Sequence, residues 1–347
     1  MTKDEVGKPV TKAVITDVIT YFHLASALSF CLKNGVTQVL VFVIPGMSGK
    51  YLVPTGKFRV VGMTVHIIEQ GRFGKGKPCG AMLALFTRLA RRALGKHSDR
   101  YLGHHSYFKP NGLASRYVSS ARTFSFEEGV GTYGTLAHHV RVARREGIKF
   151  PFLKFVIKKA LGTGVFVDTR WTPMLFENES DLWPLKTVFS AFPQAFGFAF
   201  ESDLEGAKGE GVMLFFTAPF VELGILSRQE YSNLLRRISE TLAQDGIRVL
   251  FKPHPLEQDW SDEFPSLRTR APSEVAIPMV KPACVGGFST GALITAKLIF
   301  KLNAYSFNSF LPSAAREQLR IEGPIARLFS SHVIERQKSE LTSQGLK

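Results

Sequence analysis

The sequence predicts a two-domain α/β protein with a mostly parallel sheet in each half. Three observations predict it. The chain has 347 residues, more than the roughly 250 to 300 at which a single hydrophobic core stops growing. Apolar runs of strand length alternate with segments of helical period along both halves, the pattern of parallel strands covered by helices. The charge is also divided unevenly: residues 1–174 hold 26 Lys and Arg against 9 Asp and Glu, a surplus of 17, although the whole chain carries only +15. We place the boundary at Met174, giving domains of residues 1–174 and 175–347.

In the first half, an apolar run at 13–19, a helical segment at 23–33 and a β-rich run at 38–44 ending in Pro45-Gly46 make a β-α-β opening. Residues 58–67 read as one further strand. Residues 81–94 read as an amphipathic helix with Arg88, Arg91 and Arg92 on its polar side, and Arg122–Phe126 as a short strand entering a glycine-rich turn. Residues 135–147 are helix-like and basic. Residues 150–161 interleave apolar side chains with Lys154, Lys158 and Lys159, which suits a helix over the core or one lying on a membrane surface. Residues 165–168 read as a strand, and 177–181 as the loop of the domain crossing.

The second half runs strand 211–217, helix 227–245 and strand Arg248–Lys252. Ser227 followed by Glu230 is a capping box, which marks where the helix starts. Residues 279–286 read as a strand feeding a glycine-rich turn, and 292–300 as the helix after it. Both halves thus read as Rossmann-like domains facing each other across a cleft, with ligands expected at the carboxyl ends of the strands.

No apolar stretch approaches the roughly 18 to 20 residues of a membrane span, and the first residues lack the layout of a secretory signal. A soluble, cytoplasmic protein is expected. Cys31, Cys79 and Cys284 have neither zinc-site nor disulfide-framework spacing and read as small buried hydrophobes. The basic first half points to a polyanionic partner or an anionic membrane surface. No RNA or DNA motif accompanies it, and Phe192, Phe196, Phe198 and Phe200 read as packing, so nucleic acid is not the expected partner.

Three segments can carry chemistry. Glu127-Glu128-Gly129 ends a strand, and alternation points the two carboxylates to opposite sides, one toward a cleft and one toward the domain's own packing. A carboxylate partly desolvated beside its neighbour is suited to be a general base. Lys252-Pro-His-Pro255 follows a buried-looking strand; the prolines hold His254 at the sheet edge with Lys252 nearby, an arrangement that suits a phosphate and its departing oxygen. Gly286-Gly-Phe-Ser-Thr-Gly291 precedes a helix: Gly287 lets backbone approach a ligand, and Ser289 and Thr290 sit where a phosphate-binding N-terminus would be. Each also has a plainer reading as a turn, a structural histidine or a helix cap.

Taken together, these segments resemble the bacterial sialyltransferases, in particular the capsular polysialyltransferase and lipooligosaccharide sialyltransferase families, which share an acidic-acidic-Gly motif, a His-Pro motif and a Ser/Thr motif. The matching positions are Glu127-Glu128-Gly129, His254-Pro255 and Ser289-Thr290. The similarity is clearest over 124–133 and 211–292. The resemblance implies a GT-B fold and an inverting transfer of sialic acid from CMP-sialic acid to a glycan acceptor, such as an oligosialic or polysialic acid, a capsule or a lipooligosaccharide. It implies an acidic residue of the pair as base and a donor phosphate contacted by His254 and held by Ser289 and Thr290. Glu128 is favoured over Glu127 because it abuts the glycine where the backbone turns, and Lys252, Pro255 and Gly287 are further candidates for the donor phosphate.

That chemistry requires no metal or other cofactor, and the sequence has no Asp-x-Asp motif. Arg141, Arg144 and Arg145 are candidates to line a groove for a polyanionic acceptor or to hold the protein peripherally on the inner membrane face. Other readings use the same elements: a CMP-Kdo transferase, a CDP-glycerol glycerophosphotransferase, or a basic polyanion-binding protein without catalysis.

Overall fold

The computed structural model describes residues 11–45, 52–69, 101–105, 122–127, 169–176, 179–199, 201–202, 209–257, 260–319 and 324–337. The chain divides into two compact units, residues 1–196 and 197–347. All the surplus charge lies in the first, which has 27 Lys and Arg against 12 Asp and Glu; the second has 17 of each.

The first unit is built on a seven-stranded sheet. Its strands are β1 (Thr11–Val18), β2 (Val36–Val43), β3 (Gly56–Val60), β4 (Met63–Glu69), β5 (Tyr101–His105), β6 (Arg122–Phe126) and β7 (Thr169–Trp171), in the order β3-β4-β2-β1-β5-β6-β7. Only the β3/β4 pair is antiparallel. The chain winds outward from β1 through β2 and β4, then crosses to β5, β6 and β7 on the other side, the reversal that defines a Rossmann-type sheet.

Helix α1 (Tyr21–Lys33) buries every residue from Tyr21 to Cys31, as a helix covered on all sides must. Its Phe30 stacks on Phe124 of β6 at 3.8 Å between centroids. The Phe124 ring also lies over Gly103, where a Cβ would come within 2.4 Å of it. A short helix, α2 (Pro173–Phe176), and α3 (Glu179–Ala195) follow. Tyr21 and Phe22 of α1 pack on Phe192 and Phe189 of α3, and Phe58 of β3 meets Phe196 at 4.7 Å.

These contacts correct two expectations. The first unit runs on through Phe196 instead of ending at Met174, because α3 belongs to its core; and the loop expected at 177–181 already contains the start of that helix at Glu179. The single strand expected at 58–67 is a hairpin, turned by Val61 and Gly62, both with positive φ. Valine at a turn position that normally selects Asn or Gly hides the turn from the sequence.

The second unit has a five-stranded parallel sheet. It comprises β9 (Gly209–Phe216), β10 (Arg248–Lys252), β12 (Pro282–Gly287), β13 (Asn303–Ser306) and β14 (Ile334–Glu335), in the order β10-β9-β12-β13-β14. A two-stranded ribbon pairs β8 (Glu201–Ser202) with β11 (Leu267–Arg268). The helices are α4 (Arg228–Gln244), α5 (Ser273–Val280), α6 (Gly291–Phe300), α7 (Ser313–Gln318) and α8 (Pro324–His332).

Both faces of this sheet are buried. Met213 and Phe215 of β9 face one core with Tyr231 and Leu235 of α4, while Val212, Leu214 and Phe216 face the other with α5 and α6. Burial on both sides explains why its strands read as continuous apolar runs. The capping box is present: Glu230 N–H donates to the Ser227 hydroxyl, and Ser227 N–H to the Glu230 carboxylate. Strand Arg248–Lys252 has the expected bounds, whereas Met279 lies in the last turn of α5 and β12 begins only at Pro282.

The fold is therefore the expected α/β class, with two Rossmann-like sheets, one mostly and one wholly parallel. Phe192 is buried and Phe196 packs on Tyr21, as expected of core aromatics, and Cys31 and Cys284 are buried and free. The segments expected at 81–94, 135–147, 150–161 and 165–168, and Cys79, lie outside the described residues. No helix among the described residues is long and apolar enough to cross a membrane.

Candidate functional site

In the second unit, the carboxyl ends of three neighbouring strands are in register. Phe216, the last residue of β9, pairs with Lys252 of β10 on one side and with Gly287 of β12 on the other. With strands spaced about 4.8 Å apart, the Lys-Pro-His-Pro and Gly-Phe-Ser-Thr loops leave the sheet about 10 Å from each other, flanking Thr217. The chain runs from β9 out to β10 and then crosses back to β12. The strand order thus reverses between β9 and β12, where an open α/β sheet leaves a crevice for a ligand.

The first loop is closed by a dense hydrogen-bond set. His254 N–H donates to the Thr217 hydroxyl at 2.9 Å and to the Glu257 carboxylate; the Thr217 hydroxyl is also bonded to Glu257 and lies 3.3 Å from the Lys252 carbonyl. Leu256 N–H donates to His254 Nδ1 at 3.2 Å. Nδ1 is therefore the acceptor, and the neutral imidazole keeps its proton on Nε2. Burial and the Lys252 ammonium push the imidazole below its ordinary 6.5, so at neutral pH it is an uncharged Nε2–H donor. Pro255 beside it is exposed.

Lys252 is buried, and its ammonium donates to the Pro253 carbonyl at 3.3 Å. Burial lowers its pKa, while Glu274 of α5 and Glu257 counteract that by favouring the charged form. Its positive charge is thus partly answered within the loop's own base. Burial raises the Glu257 carboxyl against the hydrogen bonds from Thr217, His254 and Tyr231 that favour its ionised form.

The second loop approaches the sheet too closely for a side chain. A Cβ on Gly287 would lie 2.8 Å from the Phe216 carbonyl oxygen. Ser289 adopts φ 39°, a left-handed conformation unusual for a non-glycine residue, and strain of this kind concentrates at functional sites. Its hydroxyl accepts from Asn308 Nδ2 at 2.5 Å, which leaves the hydroxyl proton for another acceptor. Asn308 Oδ1 is buried with no hydrogen-bond partner among the described residues. Thr290 caps α6, its hydroxyl accepting from Ala292 N–H at 3.4 Å. Leu293 N–H is bonded to the Thr290 carbonyl at 3.2 Å. The helix presents the positive end of its dipole here.

In the first unit, Glu127 directly follows β6 and is fully buried. Its N–H donates to Ser26 of α1 at 3.1 Å, and its Oε1 accepts from Met174 N–H at 3.1 Å, in the first turn of α2. Ser29 of the same helix accepts from Trp171 Nε1 at 2.8 Å. Glu127 is thus a packing carboxylate that joins β6 to α1 and α2. Glu128, Arg141, Arg144 and Arg145 lie outside the described residues. Among the described residues, no three His, Cys, Asp or Glu side chains group closely enough to hold a metal ion.

A family model described as alpha-2,8-polysialyltransferase (POLYST) matches residues 101–308, from β5 to Asn308 and across all three motifs. The chain belongs to the alpha-2,8-polysialyltransferase family. As a polysialyltransferase-family member it is a glycosyltransferase.

No curated protein matches the chain in sequence. Solved structures similar to it include Arabidopsis thaliana UGT89C1 complexed with UDP-L-rhamnose, at 11% identity over 95% of this chain and 86% of that one, TM-score 0.45. The glycosyltransferase SnogD from Streptomyces nogalater is 12% identical over 98% and 89%, TM-score 0.45. Acinetobacter baumannii MurG is 11% identical over 96% and 88%, TM-score 0.39.

Of the residues singled out in the sequence, the second-unit sheet brings Lys252, His254, Pro255, Gly287, Ser289 and Thr290 to one carboxyl rim. Glu257 and Asn308 are among the polar residues missed there. Glu257 stands three positions after His254, a spacing at which a carboxylate can reach back to a backbone N–H, and that was its available signal. Asn308 follows β13, a strand too short to register in the sequence.

Proposed function

We propose that this polysialyltransferase-family chain transfers sialic acid from CMP-sialic acid to a glycan acceptor with inversion at the anomeric carbon. The observation that carries the reading is the shared rim at Phe216, which puts a neutral Nε2–H donor, a strained serine and a helix N-terminus around the carboxyl end of β9. All three favour a phosphate monoester gaining charge.

In this reading Glu128 of the first unit is the base that takes the proton of the acceptor hydroxyl. Burial of Glu127 among α1 and α2 supports giving that role to its neighbour. The acceptor oxygen bonds to the anomeric carbon as the bond from that carbon to the phosphate oxygen breaks, and the electron pair leaves with the phosphate of CMP. His254, Ser289 and Thr290 donate to the departing phosphate, Gly287 gives it room, and Lys252 and Pro255 hold the His254 loop. No metal or other cofactor enters the scheme.

Arg141, Arg144 and Arg145, in the unit that carries all the surplus charge, attract a polyanionic acceptor such as a sialylated capsule or lipooligosaccharide glycan. Work on such acceptors is cytoplasmic, with peripheral contact at the inner membrane face. The domains divide accordingly into an acceptor half and a donor half.

The test offers CMP-sialic acid, CMP-Kdo and CDP-glycerol separately, each with galactosyl and sialyl acceptors, and follows nucleotide release and product. Release of CMP from CMP-sialic acid with a sialylated product is expected. Turnover of another donor with none of CMP-sialic acid would overturn the substrate, and salt-sensitive polyanion binding without any turnover would overturn catalysis.

A further inference from the structure

Glu257 belongs to none of the three motifs, yet it is the hub of the His254 loop. Its carboxylate takes the His254 N–H and is bonded to the Thr217 hydroxyl at the end of β9. Tyr231 of α4 receives Ala218 N–H at 3.2 Å on its phenolic oxygen, so its own proton is free to point at Glu257, and the two side chains interact by hydrogen bond. Glu257 N–H donates in turn to the His254 carbonyl at 2.9 Å, closing the turn that brings Leu256 N–H onto Nδ1.

Ionised, the carboxylate only accepts, and a backbone N–H only donates, so the polarity of this set is fixed. An imidazole free of the turn would share its proton between both nitrogens and rotate.

We propose that Glu257 is a positioning residue that locks His254 in the Nε2–H form, aimed as a donor, by tying the turn after β10 to Thr217 and to Tyr231. The inference rests on the donor-phosphate reading of His254 for its purpose, but not for its geometry. The residue touches no reacting atom; it acts through the turn.

The test uses the full-length chain and its Glu257→Gln variant, with ¹⁵N NMR of the His254 imidazole in the absence of nucleotide and CMP titration by calorimetry. In the parent, Nδ1 is expected as the unprotonated nitrogen and Nε2 as the protonated one. The variant exchanges a charge-assisted acceptor for a neutral amide, and is expected to show a mixture of tautomers and a CMP Kd raised about five- to tenfold, the difference between a charge-assisted and a neutral hydrogen bond. Tyr231→Phe removes only the hydroxyl that braces Glu257, so it is expected to shift the tautomers the same way by less. It also keeps the test open if Glu257→Gln does not fold. An unchanged imidazole spectrum in the folded variants overturns the inference. Failure of the parent to bind CMP overturns the donor-site reading instead, and leaves the ligand-free spectra to judge the inference by themselves.

Discussion

The carboxylate of Glu127 accepts a hydrogen bond from the backbone N–H of Met174 at 3.1 Å, joining the residue after β6 to a helix that begins at Pro173. That bond gives Glu127 a packing role. In the function proposed above, the base is its neighbour Glu128.

Glu127→Ala and Glu128→Gln are therefore expected to fail differently. The first leaves a buried N–H without its acceptor and should destabilise the fold by about 1 to 3 kcal/mol. The second should abolish transfer while leaving unfolding and CMP binding as in the parent. Urea denaturation and a CMP-release assay distinguish them. Wild-type turnover in Glu128→Gln, with turnover lost in a folded Glu127→Gln, would reverse the assignment.

His254 should titrate below 6.5 in the free protein, because burial and Lys252 both disfavour its charged form. A bound phosphate is an anion against Nε2–H and favours the imidazolium, so CMP should raise the imidazole pKa. NMR titration with and without CMP reads this, and an imidazole indifferent to CMP would remove His254 from the phosphate. Stability has a sign here as well. Between the folded value and 6.5 the unfolded chain binds more protons than the folded one, so stability falls as the pH drops through that window.

Gly287→Ala tests the closeness of the second loop. The added Cβ would meet the Phe216 carbonyl at 2.8 Å and Thr290 Cγ2 at 3.2 Å. Overpacking against backbone costs about 1 to 3 kcal/mol, visible as a lower urea midpoint, and the displaced loop should bind CMP more weakly. An unchanged midpoint would mean that the loop can move aside.

Asn308→Asp keeps the shape of the side chain but reverses the hydrogen bond to Ser289, since a carboxylate accepts where the amide donated. The serine proton is then drawn away from the ligand, and a negative charge stands beside the phosphate. CMP affinity should fall at least about tenfold, or 1.4 kcal/mol, while the thermal midpoint stays near that of the parent. Equal affinities in the two proteins would show that Ser289 does not donate to the nucleotide.

Much of the donor side was legible because its determinants are local. The Ser227 and Glu230 pair announces α4 through hydrogen bonds spanning a single turn, and Arg248–Lys252 is short, apolar at its three central residues and flanked by Gly246 and Pro253. Glycines before a helix cap marked the Gly287 loop for the same reason. Less legible were elements whose signals conflict. Val61 occupies a left-handed turn position that a β-branched residue normally avoids, so the β3/β4 hairpin looked like one strand. Met279 continues an apolar run into Pro282, so the end of α5 looked like the start of β12.

The sequence by itself determined the α/β class, the charge asymmetry and the three motif segments, since periodicity, composition and spacing are written along the chain. Tertiary structure alone decided the strand order that brings the loops after Lys252 and Gly287 to either side of Phe216. It also decided the burial of Glu127, and the reach of Glu257 and Asn308 to Thr217, His254 and Ser289. The reason is physical. Pairing across a parallel sheet joins residues distant in the chain, as Phe216 with Lys252 and Gly287, and their meeting depends on which faces of which helices must be buried between them.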